Sequence, residues 1–302
     1  MSTSRFRRVR AWSRWLDTRV WRMGRRYYLP AISIILLLVV PLTLWSVWIE
    51  PDKLTVKTIT IAIPNWPAGF ASLKVVALSD LHVGAPHITL DKLREVVQQA
   101  NEQQPDLIVL LGDYVIQGIP GGQFTDPDTF VEILKDLKAS HGVYAVLGNH
   151  DWWLGEVQVT RAFERVGIRM LTNEAVRMER NGSTLWLAGL GDFFTRHDDL
   201  EKTMRSVTSP DPILAITHTP DIFLKLPPQV VLTLAGHTHG GQVNLPLLGR
   251  RVVPSDYGDK YAIGFVEEGE RRLFVTPGIG TSILPVRFRV PPEISVLTIT
   301  SK

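Results

Sequence analysis

The sequence predicts an α/β domain behind a single membrane span, and three observations carry that expectation. Five short apolar runs read as buried strands: LKVVALS (73–79), LIVLLG (107–112), VYAVLG (143–148), ILAIT (213–217) and VVLTLAG (230–236). Stretches with helical apolar spacing lie among them. An unbroken apolar block, LPAISIILLLVVPLTLWSVWI, fills residues 29–49.

Taken in chain order, the block comes first. Its 21 uncharged residues suffice to cross a hydrocarbon core of about 30 Å as a helix. A buried core helix is the alternative, but Arg25 and Arg26 on one flank and Trp45 and Trp48 at the other end are membrane-interface residues. Pro41 predicts a kink. The block also accounts for a positive mean hydropathy, +0.07, in a chain of 302 residues with 45% hydrophobic content.

Charge divides at the same place. Residues 1–50 hold nine arginines against Asp17 and Glu50, leaving 24 Lys and Arg against 28 Asp and Glu for the remainder. The net charge of +3 therefore belongs to the tail. Such a tail could bind nucleic acid, but directly before a span it reads as a topology signal, and no specific nucleic-acid partner is expected. The positive-inside rule keeps residues 1–28 cytoplasmic and sends the rest to the outer, periplasmic side of a bacterial inner membrane. GRRYYL (24–29) is similar to a twin-arginine export signal, and SVWIEPDKL after the block offers no small-x-small cleavage site, so an uncleaved anchor is expected. With no cysteine, the chain has no disulfide and no thiolate ligand. The expected domains are the Arg-rich tail 1–28, the anchor 29–49 and a catalytic domain 50–302.

Beyond the anchor, Leu90, Leu93, Val96, Val97 and Ala100 share one helical face, as do Phe130, Ile133, Leu134 and Leu137. Strands alternating with helices predict a layered sheet with helices outside. Apparent strands at 54–61, 184–190, 273–276 and 294–300 come without long helices between them, which suggests a second, partly antiparallel sheet.

Each of the five buried runs ends on polar residues able to bind a metal: Asp80 and His82 in SDLH, Asp113 in GDY, Asn149 and His150 in GNHD, His218 in THTP, His237 and His239 in GHTH. Ligands of open α/β sheets bind at the carboxyl ends of strands, so these groups are expected on one rim. If the chain there is extended, residues i and i+2 of DxH and HxH point to one side and each pair can share a site. Carboxylates, an amide and neutral imidazoles suit two divalent ions of the Mn, Fe or Zn type, with Asp113 as the natural bridge. Two such ions about 3.5–4 Å apart can acidify a shared water to hydroxide and clamp the attacking and leaving oxygens of a displacement at phosphorus. That chemistry is hydrolysis of a phosphate ester. His87, His141 and His197 match nothing in this pattern and read as surface or structural residues.

DxH, GD, GNHD, H and GHxH in this order resemble the calcineurin-like metallophosphoesterase superfamily, over about residues 73–240. The resemblance implies an αββα sandwich of two mixed sheets with a two-metal centre. It implies that Asp80, His82, Asp113 and His239 hold one metal and that Asp113, Asn149, His218 and His237 hold the other. By the same resemblance His150 is no ligand but stands at the leaving group as general acid, with Asp151 orienting it.

The protein serine/threonine phosphatases of the superfamily carry Asp-Arg-Gly after GD and GNHE in place of GNHD. This chain has GDYVIQG and GNHDWW, which argues against phosphoprotein hydrolysis. The whole chain resembles the membrane-anchored bacterial branch, and a phosphodiester or pyrophosphate, lipid-linked among the candidates, is the expected substrate. One alternative is a pyrophosphatase for a UDP-2,3-diacylglucosamine-type precursor of lipid A, although a cytoplasmic precursor is out of reach of a periplasmic domain. Another is a metal-free binding scaffold of the same fold. Trp152 and Trp153 are expected in a loop leading to a helix near Val157, either packed in the core or walling the site against an apolar leaving group, with LPLLG (245–249) as a lipid-facing lip.

Overall fold

The computed structural model describes residues 28–302. The Arg-rich tail and most of GRRYYL lie outside the described residues. Helix α1, Tyr28–Ile49, has 22 residues, long and apolar enough to cross a membrane, and its last turn, Trp45–Ile49, is π-helical. The helix runs on through Pro41. The chain divides into two compact units, one ending at Ser46 and the other comprising Val47–Lys302.

The larger unit contains, among the described residues, two mixed six-stranded sheets. The first runs in the order β1 (Thr55–Ile63), β14 (Glu293–Ser301), β2 (Leu73–Leu78), β3 (Leu107–Leu110), β4 (Val143–Ala145), β5 (Arg169–Met170). All its pairings are parallel except β14 with β2. The second runs β12 (Gly264–Glu268), β13 (Arg271–Val275), β9 (Val230–Ala235), β8 (Ile213–Ile216), β7 (Ser183–Gly189), β6 (Glu174–Arg180), antiparallel at both edges and parallel within.

The period-2 geometry of strands decides which layer each side chain joins. Val75, Ala77, Leu107 and Val109 point between the sheets, against Leu214, Ile216, Leu232 and Leu234. Their neighbours Val76, Leu78, Ile108 and Leu110 point outward, against α2 (Leu90–Glu102), α3 (Pro127–Leu134) and α5 (Glu156–Arg165). On the far side, Ile213 and Ala215 meet Leu200 and Met204 of the α6 region (Leu200–Arg205). Helix, sheet, sheet, helix is the resulting order of layers. α2 starts where Thr89 caps it, its side chain accepting from Lys92 N, and buries Leu93, Val96, Val97 and Ala100, the face its spacing predicts.

Two expectations need correction. The strands at 54–61 and 294–300 do not join the second sheet: β1 and β14 pair with each other in parallel and extend the first. The five apolar runs are instead divided, β2 to β4 in one sheet and β8 and β9 in the other. A run buried on both faces carries no mark of the sheet it belongs to. Nor are Trp152 and Trp153 in a loop. They belong to a short helix, α4, Asn149–Leu154, which begins directly after Gly148.

Candidate metal centre

The five polar segments converge where the two sheets end. Asp80, His82, Asp113, Asn149, His218, His237 and His239 are all buried. They form overlapping clusters: Asp80, His82 and His239 in one, Asp113, His218 and His237 in another, and His82, Asp113 and His150 between them. Asp113 Oδ2 occupies the middle, 3.7 Å from His82 Nε2, 3.3 Å from His218 Nε2 and 4.0 Å from His150 Nε2.

The convergence does not come from extended DxH and HxH pairs. β2 and β9 end at Leu78 and Ala235, before the motifs begin. Asp80, His82, Asp113, His237 and His239 all adopt left-handed backbone, φ between 43° and 70°. For non-glycine residues that conformation is uncommon, and it clusters at functional sites where the surroundings enforce it. In consequence Asp80 and His82 share a cluster, whereas His237 and His239 part, one to each.

Two imidazoles declare their tautomer. His82 Nδ1 lies 3.0 Å from Val115 O and His218 Nδ1 lies 2.7 Å from Leu111 O. A carbonyl oxygen only accepts, so each Nδ1 is the donor and each Nε2 turns toward the cluster, as in histidines that bind metals. There His82 Nε2 faces His239 Nε2 at 3.3 Å, and His218 Nε2 faces His237 Nδ1 at 3.1 Å and Asn149 Oδ1 at 3.2 Å. Asp80 Oδ1, His237 Nε2 and His239 Nδ1 are buried without a hydrogen bond. Buried nitrogens facing one another beside two carboxylates form a set of donors that a divalent cation satisfies, so the residues fit the ions that the motifs imply.

The electrostatics point the same way. Burial lowers the His218 pKa, but the Asp113 carboxylate, by its charge and hydrogen bond, carries it up to about 10. Burial raises Asp113 in turn, and His218, with His150 and His82, holds it well below the usual carboxylate range. Burial pushes His150 and His237 down to about 4, and His239 well below the ordinary histidine value.

The order of GNHD follows from this geometry. A Cβ on Gly148 would collide with the Asp113 carboxylate and backbone, so the first position must be glycine. Asn149 opens α4 with its oxygen in the cluster, and His150 N donates to Asp113 Oδ1 at 2.8 Å. Asp151, at the third helical position, accepts from Gly148 N at 2.9 Å, Asp113 N at 2.8 Å, Tyr114 N at 3.0 Å and Val115 N at 3.3 Å. Its carboxylate makes no hydrogen bond to the His150 ring. It fixes the backbone that carries Asp113.

The two tryptophans diverge because consecutive helical residues point about 100° apart. Trp153, three positions after His150, is exposed, with its ring 4.9 Å from the imidazole. Trp152 is half-buried against the α-helical core layer and stacks at 3.6 Å on His197. His87 and His141 take no part in the clusters.

Two residues of the site lack a motif among the five. Phe194 is exposed, 5.1 Å from His237 and 6.4 Å from Trp153, and completes an aromatic wall. Asp192 is buried and holds that loop through Thr195 N at 2.9 Å and Thr195 Oγ1 at 2.8 Å. Its signal was available in GLGDFF, another Gly-Asp after an apolar strand. A cavity of about 620 Å³ opens onto Asp113, Asn149, His150, His237 and His239 of the clusters, and its lining includes Trp153, Phe194, Leu245, Val252, Ile283 and Leu284.

Comparison with known proteins gives a match to the calcineurin-like phosphoesterase family model over residues 73–241. The chain is 32% identical to the metallophosphoesterase YkuE of Bacillus subtilis, over 84% of this chain and 88% of that protein. It is 30% identical to the Danio rerio "transmembrane protein with metallophosphoesterase domain", over 82% of this chain and 57% of that longer one. It is 29% identical to the phosphodiesterase YaeI of Escherichia coli, over 75% of this chain and 82% of that protein.

Proposed function

The chain belongs to the calcineurin-like phosphoesterase family and is a metal-dependent phosphoester hydrolase, and from that premise we propose that it cleaves a phosphodiester or pyrophosphate with two divalent ions. Asp80, His82, Asp113 and His239 would hold one ion, and Asp113, Asn149, His218 and His237 the other. The observation that carries this reading is the placement of Asp113 Oδ2 among His82, His150 and His218, within 4.0 Å of an imidazole nitrogen of each. Bound divalent ions supply Lewis acidity that activates water and neutralises the phosphate.

The chain's own residues do the rest. Val115 O and Leu111 O fix the His82 and His218 rings, and Asp151 fixes the Asp113 backbone. His150, which lines the cleft, would act as the general acid in its imidazolium form, taking up a proton from solvent before turnover and giving it to the leaving oxygen. Burial lowers its pKa to about 4, and an arriving phosphate anion favours the charged form that the step requires. Trp153 and Phe194 present apolar surface to the leaving group, which favours a lipid-linked or otherwise apolar ester over a small hydrophilic one.

Helix α1 would anchor the enzyme in a bacterial inner membrane, with residues 1–28 inside and the catalytic domain on the periplasmic side. Turnover of bis-aryl phosphodiesters, pyrophosphates and lipid phosphates by the purified metal-loaded chain tests the reaction class. Cleavage of monoesters alone would contradict it.

A further inference from the structure

The loops above the cavity invert the usual distribution of polar and apolar groups. Arg287 is fully buried, its guanidinium donating to the carbonyls of Pro277, Gly278, Gly280 and Val290, while Ile283 and Leu284 on the same loop are 69% and 52% exposed. Beside them, the hairpin of β10 (Asn244–Leu245) and β11 (Gly249–Arg250) carries Leu247, wholly exposed, and Leu248 at 54%. Leu247 and Ile283 both adopt left-handed backbone, φ 66° and 64°. For a β-branched or bulky residue that is a real outlier, and neither is rewarded by burial.

Gln242 joins the two loops. Its Oε1 accepts from Ser282 N at 2.6 Å and its Nε2 donates to Ser282 O at 3.0 Å. The backbone adds Phe288 N to Gln242 O at 2.8 Å and Asn244 N to Phe288 O at 2.9 Å. Leucines and an isoleucine are thus held outward by a tied scaffold. Leu245 and Val252 of one loop and Ile283 and Leu284 of the other line the same cavity, and exposed apolar side chains gathered in this way mark a contact with a protein, a ligand or a membrane.

We propose that this rim docks on the surface of a phospholipid bilayer. Three observations select that occupant. Exposed Arg251 and Arg289 flank the apolar residues, the pairing of insertion with attraction to anionic headgroups that interfacial segments use. The same chain carries a helix long and apolar enough to cross a membrane. Within the domain, Glu50 accepts from Val290 N at 2.6 Å, which ties the loop that carries Ile283 and Leu284 to the segment that follows the apolar helix in sequence. The rim places the mouth of the cavity among lipid headgroups. It does not depend on the catalytic reading, since an inactive protein can dock the same way.

The absence of cysteine makes single labels unique. Leu247→Cys, Ile283→Cys and, as a control, Val157→Cys on α5, 52% exposed, each carry a nitroxide in the full chain. The chain is reconstituted in vesicles of phosphatidylethanolamine and phosphatidylglycerol. Docking predicts labels at 247 and 283 accessible to oxygen and shielded from an aqueous nickel complex, with the reverse at 157. Leu248→Cys and Leu284→Cys give the same reading should either first variant fold poorly. Labels at the rim as open to nickel as at 157 would overturn the proposal. So would shielding found only in native membranes, which would assign the rim to a protein.

Discussion

The backbone amide of Asp113 donates to Asp151 Oδ2 at 2.8 Å, and through that bond the fourth residue of GNHD governs the GD motif of a neighbouring strand. Asp151 accepts from three further amides, those of Gly148, Tyr114 and Val115. Asp151→Asn would turn an NH₂ group toward donors that need an acceptor. Each buried donor left unpaired costs about 1–3 kcal/mol, so a loss of about 2 kcal/mol or more in denaturant unfolding is expected. Unchanged stability would show that the amides find other partners.

The general acid is tested by leaving-group dependence. His150→Ala is expected to slow esters of poor leaving groups by about 10²–10⁴ and activated aryl esters less, with metal content near normal. Equal losses across leaving groups would refute the acid role, and loss of ions would make His150 a ligand with His82 and Asp113, a cluster the geometry also forms.

Trp153 is 54% exposed, so its removal leaves the core intact. Trp153→Ala is expected to raise KM for esters with an apolar group several-fold more than for a small soluble diester, at little cost in melting temperature. Trp152→Ala, which strips a half-buried ring from the α-helical core layer, is expected to lower the melting temperature instead.

Orientation is tested with protease. Carrying one arginine to the bilayer centre costs about 2.5–3.5 kcal/mol on the insertion scale, and the tail holds nine. Protease added to spheroplasts is expected to digest the domain while a cytoplasmic control survives. Protection until lysis would reverse the topology and favour a cytoplasmic lipid precursor as substrate.

What the sequence disclosed was the buried runs and the polar residues that end them, because a strand buried on both faces must be apolar and a metal site must break that pattern. The assignment of runs to sheets was hidden. LKVVALS and VVLTLAG look alike, yet β2 and β9 lie in different sheets, and β1 joins β14 across most of the chain's length. The start of α4 at Asn149 was hidden too, since six residues are too few for a 3.6-residue repeat and its N-cap, Gly148, has no side chain to mark it. Phe194 reaches the site through a loop held by Asp192, a tertiary placement that carries no periodic signal.

Metal stoichiometry bears most directly on the central claim. Elemental analysis of the purified chain, loaded with Mn, Fe or Zn and freed of loose ions, is expected to give two ions per chain. In Asp113→Asn at least one should be lost together with phosphodiesterase activity, while His87→Ala keeps both. Fewer than one ion per chain in the wild type, or full occupancy and turnover in Asp113→Asn, would contradict a two-metal hydrolase bridged by Asp113.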